Sequence, residues 1–370
     1  GTDKADVFNI ANVFFQLKKY RQAALWVKKA LTMDDAFFDA WILLGQCQMA
    51  LEQNMEATDS LRKACRLKSD DVWVHSYLGQ VLQKNGEYDA ALEEALCAVL
   101  LSGGEDSQQI NMAYALYETA LENGKDSIQK FASAWQQKYA GNPIVDYALA
   151  ALVSDKKILK SDALYVRKIF DIFAEDFEET LASLDYRVPQ IIATECKAFC
   201  EEKILQEWRI LDMGCGTGLC GKFLASLYLK ISLDGVDISA EMLKKAAEKN
   251  VYKSLFCDDV EHFFAMSDSL YDVIVAADVL TYFGALENIF FQVKKHLKKN
   301  GAFIFSVTQN SLNDDDSFLH MSGRFLHTEN YVKKVVKQCG FMVKKQQSCK
   351  LREEGDSEVF GWIFCIEKSS

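Results

Sequence analysis

Residues Ile210 to Leu219 read ILDMGCGTGL. A hydrophobic run ends in Asp212 and opens at once onto Gly214, Gly216 and Gly218, and a second acid, Asp237, closes the later run ISLDGVD. Glycines at alternate positions let the chain turn sharply after a strand and let a ligand come close where any Cβ would collide. The stretch therefore reads as a strand–turn–helix unit for a nucleotide-like cofactor. DVIVAA (272–277) and GAFIFSV (301–307) are near-continuous apolar runs, as expected of strands buried on both faces of a parallel sheet.

Which cofactor follows from departures from the dinucleotide fingerprint GxGxxG, in which a helix N-terminus holds a pyrophosphate. Here the third glycine, Gly218, comes one residue early, Leu219 follows it, and Asp212 sits two positions before the first glycine. A carboxylate there repels a pyrophosphate and suits a cation. S-adenosylmethionine (SAM) carries an ammonium, a sulfonium and a ribose with two free hydroxyls. Acids at two successive strand ends fit it better than NAD, so an NAD-linked oxidoreductase is the disfavoured alternative. The plainest alternative is a tight turn with no ligand.

These residues resemble the class I SAM-dependent methyltransferases. ILDMGCGTG, with Asp212, Gly214, Gly216 and Gly218, is similar to the family's first motif, and GVDISAEML to its second. The resemblance implies that Asp237 bridges the ribose hydroxyls and that Ile238 and Met242 pack on the adenine. SLFCDDVEHF is similar to the third motif, which gives Asp258 the adenine amino group and the backbone amide of Asp259 the ring. YDVIVAADVLTYFG resembles the fourth strand and its loop, with Asp278 and Tyr282 beside the methionine end and the acceptor pocket. The fold implied is a Rossmann-like, seven-stranded sheet. Apolar spacing predicts a helix over Ala285–Lys299, closed by Asn300-Gly301 as a C-cap, and another over Glu329–Cys339 ending at Gly340. FMVKKQQS and EVFGWIFCIEK then read as two final strands joined by the polar turn LREEGDS.

The N-terminal half repeats every 34 residues: Ala11, Gly45, Gly79 and Ala113 share one small-residue position, Ala23, Ala57 and Ala91 a second, and Ala30, Ala64, Ala98 and Ala132 a third. The period resembles the tetratricopeptide (TPR) repeat, whose small residues let paired helices approach and each repeat bury its face on the next. Three repeats are clear, and a fourth is degenerate, with Lys125 where the alanine should fall. The stretch KYAGNPIVDYALAAL reads as a closing helix pair. The architecture expected is multidomain, α and α/β: a TPR solenoid over 1–155, linker and covering helices over 156–205, and the methyltransferase domain over 206–370. The middle segment, with its apolar spacing at Ile169, Ile172 and Phe173 and its Tyr186-Arg187-x-Pro189 ending, resembles bacterial methyltransferases fused to TPR repeats. More distantly it is similar to the Williams-Beuren-region methyltransferase-like proteins. The resemblance does not name the acceptor.

By its similarity to TPR repeats, the solenoid presents Ala5, Phe8, Asn12 and Phe15, then Asp39, Ile42, Gln46 and Met49, then Trp73, Ser76, Gln80 and Gln83 along its inner groove. None is Lys or Arg, which argues against a clamp for a C-terminal carboxylate. Asn12, Gln46 and Gln80 suit an extended peptide backbone flanked by Phe8, Phe15 and Trp73. Self-association, or packing on the catalytic domain, is the equal alternative.

The chain of 370 residues carries a net charge of −11 without a basic stripe, which excludes DNA and bulk RNA as acceptors, since phosphates need clustered Lys and Arg. Eleven cysteines are scattered without a CxxC, as in a reducing cytoplasm. No apolar run reaches membrane-spanning length and no signal peptide is visible; Gly1 in place of a methionine reads as a cleaved end. Five histidines are too dispersed to suggest a metal site. The reaction expected is an in-line displacement at the sulfonium methyl, driven by positioning in a dry pocket and needing no covalent nucleophile. The acceptor is a small molecule or a peptide or protein. Where it must lose a proton, His327 is the first candidate base, Tyr282 the second and Asp278 the third, and Arg324 would anchor an acceptor carboxylate or phosphate. A catalytically silent SAM-binding TPR scaffold or assembly factor is the rival reading.

Overall fold

The computed structural model describes residues 3–153, 158–203, 207–227, 230–312, 316–354 and 357–369. The chain divides into two compact units, Gly1–Ser154 and Asp155–Ser370. The domain boundaries expected at 155/156 and 205/206 fall on residues outside those described, as do Gly355 and Asp356 of the expected LREEGDS turn.

The first unit is all helix: α1 (Lys4–Gln16), α2 (Tyr20–Met33), α3 (Phe38–Ala50), α4 (Asn54–Leu67), α5 (Val72–Lys84), α6 (Tyr88–Leu101), α7 (Asp106–Asn123), α8 (Gln129–Tyr139) and α9 (Pro143–Leu152). The first helices of successive pairs start at Lys4, Phe38, Val72 and Asp106, which reproduces the step of 34 read from the small residues. Ala11, Ala23, Ala30, Ala57 and Ala64 are wholly buried, so the in-phase alanines are where helices press together. The closing pair expected over 138–152 is a single helix, α9. Tyr139 ends α8, and Asn142 then caps α9 by accepting from the backbone of Ile144 at 2.9 Å, with Pro143 at the first helical position. On the expected groove, Asn12, Gln46 and Gln80 are half-buried, and Trp73 is exposed and stacked on Tyr77 with ring centroids 6.2 Å apart. Ser76 is not a groove contact: it is buried and accepts from Asn111 at 3.1 Å.

The second unit begins with α10 (Ala163–Phe173), α11 (Phe177–Ser183) and α12 (Val188–Glu201). It continues with β1 (Trp208–Met213), α13 (Leu219–Ala225), β2 (Ile231–Asp237), α14 (Ala240–Glu248), β3 (Ser254–Cys257), α15 (Val260–Met266), β4 (Tyr271–Ala276), α16 (Glu287–His296) and β5 (Leu297–Thr308). It closes with β6 (Ser317–Leu319), β7 (Phe325–His327), α17 (Glu329–Gln338), β8 (Phe341–Glu354) and β9 (Ser357–Lys368). Seven strands form one sheet in the order β3-β2-β1-β4-β5-β9-β8, with β9 antiparallel to both neighbours; β6 and β7 form a separate two-stranded sheet. Alternate residues of the inner strands feed two cores, as a period of two requires. Leu211, Met213, Ile274, Phe303 and Phe305 face one, with α16 and α17. Ile210, Val273, Val275 and Ile304 face the other, with α12.

Several boundaries differ from the sequence expectation: α16 starts at Glu287, α17 ends at Gln338, and β8 runs on through Leu351–Glu354, read from the sequence as turn. Helix α16 ends at His296, not Lys299, because Leu297 is fully buried and pairs with Tyr271 on β4. Asn300, with φ +58°, lies within β5 and does not cap the helix. Among the described residues no helix is long and apolar enough to cross a membrane.

The β5–β9–β8 junction depends on a close approach at Gly361, where a Cβ would lie 2.3 Å from the carbonyl oxygen of Val307 and 2.5 Å from Leu351. Gly361→Ala should destabilise the protein by about 1–3 kcal/mol, the range for overpacking a tight core, with a lower urea midpoint; an unchanged midpoint would show that the strands part without cost.

Candidate active site

The loop between β1 and α13 runs through Gly214, Gly216 and Gly218, all at positive φ (+67°, +52° and +84°). At Gly214 a Cβ would also fall 2.3 Å from Val279, so the loop backbone lies against the turn after β4. Across it, Asp237 at the end of β2 accepts from Gly216 N at 2.8 Å and from Ser239 N at 2.9 Å. One carboxylate thereby ties the glycine loop, the strand end and the cap of α14 together, and it lines the cleft above them. Burial pushes the Asp237 carboxyl up to about 6.

Beneath the loop lies Tyr252, which no motif of the sequence marks. Its ring fills the space that Cβ atoms would take at Gly221 (2.3 Å from the hydroxyl oxygen) and Gly235 (2.9 Å). Its hydroxyl donates to Asp212 Oδ2 at 2.7 Å. The other Asp212 oxygen makes no hydrogen bond among the described residues, and burial pushes this carboxyl up to about 7. Asp212 does not line the cleft; it sits under the loop as a buried acid with one oxygen unspent.

The other expected cofactor residues separate. Ile238 and Asp259 line the cleft, whereas Met242 is wholly buried in α14 and Asp258 is off the cleft wall. The Asp258 carboxylate meets His262 Nδ1 at 2.7 Å, one helical turn on, while its backbone N–H donates to the Asp237 carbonyl at 2.9 Å. The Asp259 side chain caps α15 by accepting from Glu261 N at 2.9 Å. It also meets Lys160 at 3.2 Å, a cleft residue missed in the sequence that bridges to Glu261 at 2.6 Å.

A second cluster lines the same cleft. Asp278, with φ +56°, follows β4; its backbone N–H donates to Ser306 Oγ and that hydroxyl donates back to its carboxylate, both at 2.8 Å. Arg352, on β8, reaches the other Asp278 oxygen at 3.3 Å and Glu354 at 2.7 Å, and Glu354 in turn meets Arg324 at 3.4 Å. Tyr186 and Tyr282 stand on the wall beside these groups, and burial pushes both phenols up, so both hydroxyls stay protonated. Arg352 lies in the stretch LREEGDS, which the sequence presents only as a polar turn. His327, the first candidate base, is not on the wall. It is fully buried with Nε2 donating to the Phe283 carbonyl at 2.8 Å, and burial pushes its imidazole down to about 4.

The cleft is about 1210 Å³, its mouth included, and α10 and α11 line one side through Val166, Phe170, Phe177 and Leu181. Ser239 Oγ donates to Asp171 at 2.6 Å and Lys245 meets Glu175 at 2.6 Å, which fastens this cover to α14. A cleft with an acid across a glycine loop, a second acid below it with an orphaned oxygen, and an apolar cover fits a nucleoside that carries positive charge.

Residues 210–301 match the methyltransferase-domain family, and residues 38–71 match the tetratricopeptide repeat. The chain is similar to the malonyl-[acyl-carrier protein] O-methyltransferase of Priestia megaterium, 33% identical over 109 residues that cover 28% of this chain and 38% of that protein. It is also similar to the ubiquinone biosynthesis O-methyltransferase of Rickettsia akari, 32% identical over 105 residues that cover 28% and 41%. The chain thus spans less than half the length of these curated relatives. Among solved structures, a magnesium protoporphyrin IX methyltransferase from Synechocystis is similar at 17% identity, with a TM-score of 0.45, covering 56% of this chain and 99% of that one.

Both buried carboxyls carry a consequence for stability. Their folded values, about 7 and about 6, lie above the unfolded value near 4, so between these limits the folded protein holds protons that the unfolded chain has lost. Their contribution is whole below about pH 4, declines as pH rises, and is gone above about pH 7. Asp212→Asn, which still accepts from Tyr252, should make that decline shallower in urea unfolding of the unliganded protein from pH 4 to 8. An equal decline would mean that Asp212 ionises as it does in water.

Proposed function

We propose that this chain, which carries a class I SAM-dependent methyltransferase domain behind tetratricopeptide repeats, transfers a methyl group to a small-molecule or peptide acceptor, with the solenoid recruiting a partner or substrate. The reading rests on one observation: the Asp237 carboxylate, fixed by two backbone N–H groups, lies in the cleft across the glycine loop. Bound there, SAM supplies an activated methyl group on a sulfonium. Asp237 accepts from the ribose hydroxyls, Ile238 packs on the adenine, and Gly214, Gly216 and Gly218 let the ligand lie against bare backbone. Asp212 acts through the loop as a compensating negative charge. Met242 and Asp258 support α14 and α15 and leave the adenine to Ile238 and Asp259. The division proposed is solenoid to 155, covering segment 156–205 and catalytic domain 206–370, with α10 and α11 excluding water. The setting proposed is cytoplasmic.

The three candidate bases are poorly placed for proton removal. His327 is off the wall, Tyr282 is held protonated, and both Asp278 oxygens are engaged. This favours an acceptor that arrives already ionised, and the O-methyltransferase names of the relatives support oxygen as the methylated atom. The same observation favours the second reading, a catalytically silent SAM-binding scaffold.

Calorimetric titration with SAM and with NAD checks the cofactor: heat with SAM and none with NAD is expected. Asp237→Ala should weaken SAM by about 1.5–3 kcal/mol, the cost of losing a charged acceptor, which is roughly 10- to 150-fold. Unchanged affinity would move the ribose elsewhere.

A further inference from the structure

Arg352 is spent within the protein, its guanidinium donating to both Glu354 and Asp278. Arg324 is not. Among the described residues its guanidinium makes one long hydrogen bond, 3.4 Å to Glu354, although it has five N–H donors and lines the cleft. The hydroxyls of Tyr186 and Tyr282, on the same wall, have no hydrogen-bond partner among the described residues, and each phenol feels the charge of Arg324. Two hydroxyls without an acceptor and a guanidinium with one long bond therefore line the same cleft.

We infer that the methyl acceptor is a monocarboxylic acid with an apolar body, its carboxylate seated by Arg324 with the hydroxyls of Tyr186 and Tyr282 and methylated on oxygen. This rests on the SAM reading above. Charge fixes the valence of the anion. Asp278, Arg352, Glu354 and Arg324 form an alternating row of two acids and two guanidiniums, neutral as it stands. One carboxylate adds a single negative charge beside the sulfonium, whereas a phosphate dianion would add two in an apolar-walled cleft. The walls fix the rest of the molecule: Phe170, Phe177, Leu181 and Leu184 are apolar.

The step needs no base. A carboxylate oxygen attacks the methyl carbon, the C–O bond forms as the C–S bond breaks, and the bonding pair leaves on sulfur as a neutral thioether. No proton moves. A cation and an anion become two neutral products, so charge disperses in the transition state and a water-poor cleft accelerates the reaction. An alcohol or amine would have to shed a proton, and none of His327, Tyr282 and Asp278 is placed to take it. Arg324 is thus a specificity-determining residue, and Arg352 a positioning residue that holds Asp278 and Glu354 in place.

The test uses octanoate, phenylacetate and monomethyl succinate as probes, with the full chain. Titrated into protein saturated with S-adenosylhomocysteine, at least one acid should bind. Arg324→Gln should weaken it about 10- to 100-fold, as expected for loss of a charge-assisted hydrogen bond. SAM affinity and melting temperature should stay at wild-type values, and Arg324→Lys should restore part of the binding. With tritiated-methyl SAM, the same acid should yield product that releases volatile methanol in alkali, the mark of a methyl ester. Binding that is equal in wild type and Arg324→Gln, displacement of the acid by stoichiometric inorganic phosphate, or absence of alkali-labile product while SAM binds, each overturns the carboxylate assignment. Failure of SAM itself to bind overturns the cofactor reading beneath it.

Discussion

The catalytic unit is organised around the short distance between a glycine loop and the end of the neighbouring strand. Gly216 N donates to Asp237 at 2.8 Å, and the loop can come that close because Tyr252 supports it from below while no Cβ intervenes at Gly221 or Gly235. Two acids are thereby held in a poorly hydrated place, and the strain is electrostatic: both carboxyls are pushed up by burial. A protein tolerates such a cost where the binding of a cation repays it, because the ligand supplies the charge that the fold withholds.

Residues 210–301, which match the family, contain the acids and glycines proposed to hold SAM, and nearly all the groups proposed to seat the acceptor lie outside that stretch. Tyr186 precedes α12, Arg324 precedes β7, and Arg352 and Glu354 lie near the end of β8; Asp278 and Tyr282, after β4, are where the two sides meet. The covering segment is joined to β8 as well, since Glu353 N donates to the Leu184 carbonyl at 2.7 Å. The α10–α12 segment and the end of β8 are thus one assembly, fastened at one edge to α14 and at the other to the sheet.

What the sequence revealed was what chain-local physics determines. The 34-residue step gave the helix starts of the solenoid because each repeat meets only its neighbours. The strand–glycine–helix unit and the two apolar strands were legible for the same reason. Where the outcome depended on distant partners, the reading went astray. The spacing of Leu286 to Leu297 predicted a helix through Lys299, yet Leu297 is claimed by Tyr271 on β4. Tyr252 carried no signal, because its acceptor lies 40 residues away. His327 looked available beside Arg324, but a three-residue strand turns the ring inward to the Phe283 carbonyl. Arg352 stood in a stretch that reads as a polar turn, with no local cue that its charge would meet Asp278, 74 residues distant.

The long β8–β9 hairpin also bears on how such a catalyst diversifies. β8 is an edge strand of the sheet, paired on one side only, and it carries the guanidinium that meets Asp278 in the cleft proposed to take the acceptor. An outermost ribbon can change length, register or sequence at its tip without disturbing the parallel strands that hold the nucleoside. Inheritance can therefore conserve the donor half while rewriting which molecules are accepted, and the same division offers an engineer a place to graft new selectivity.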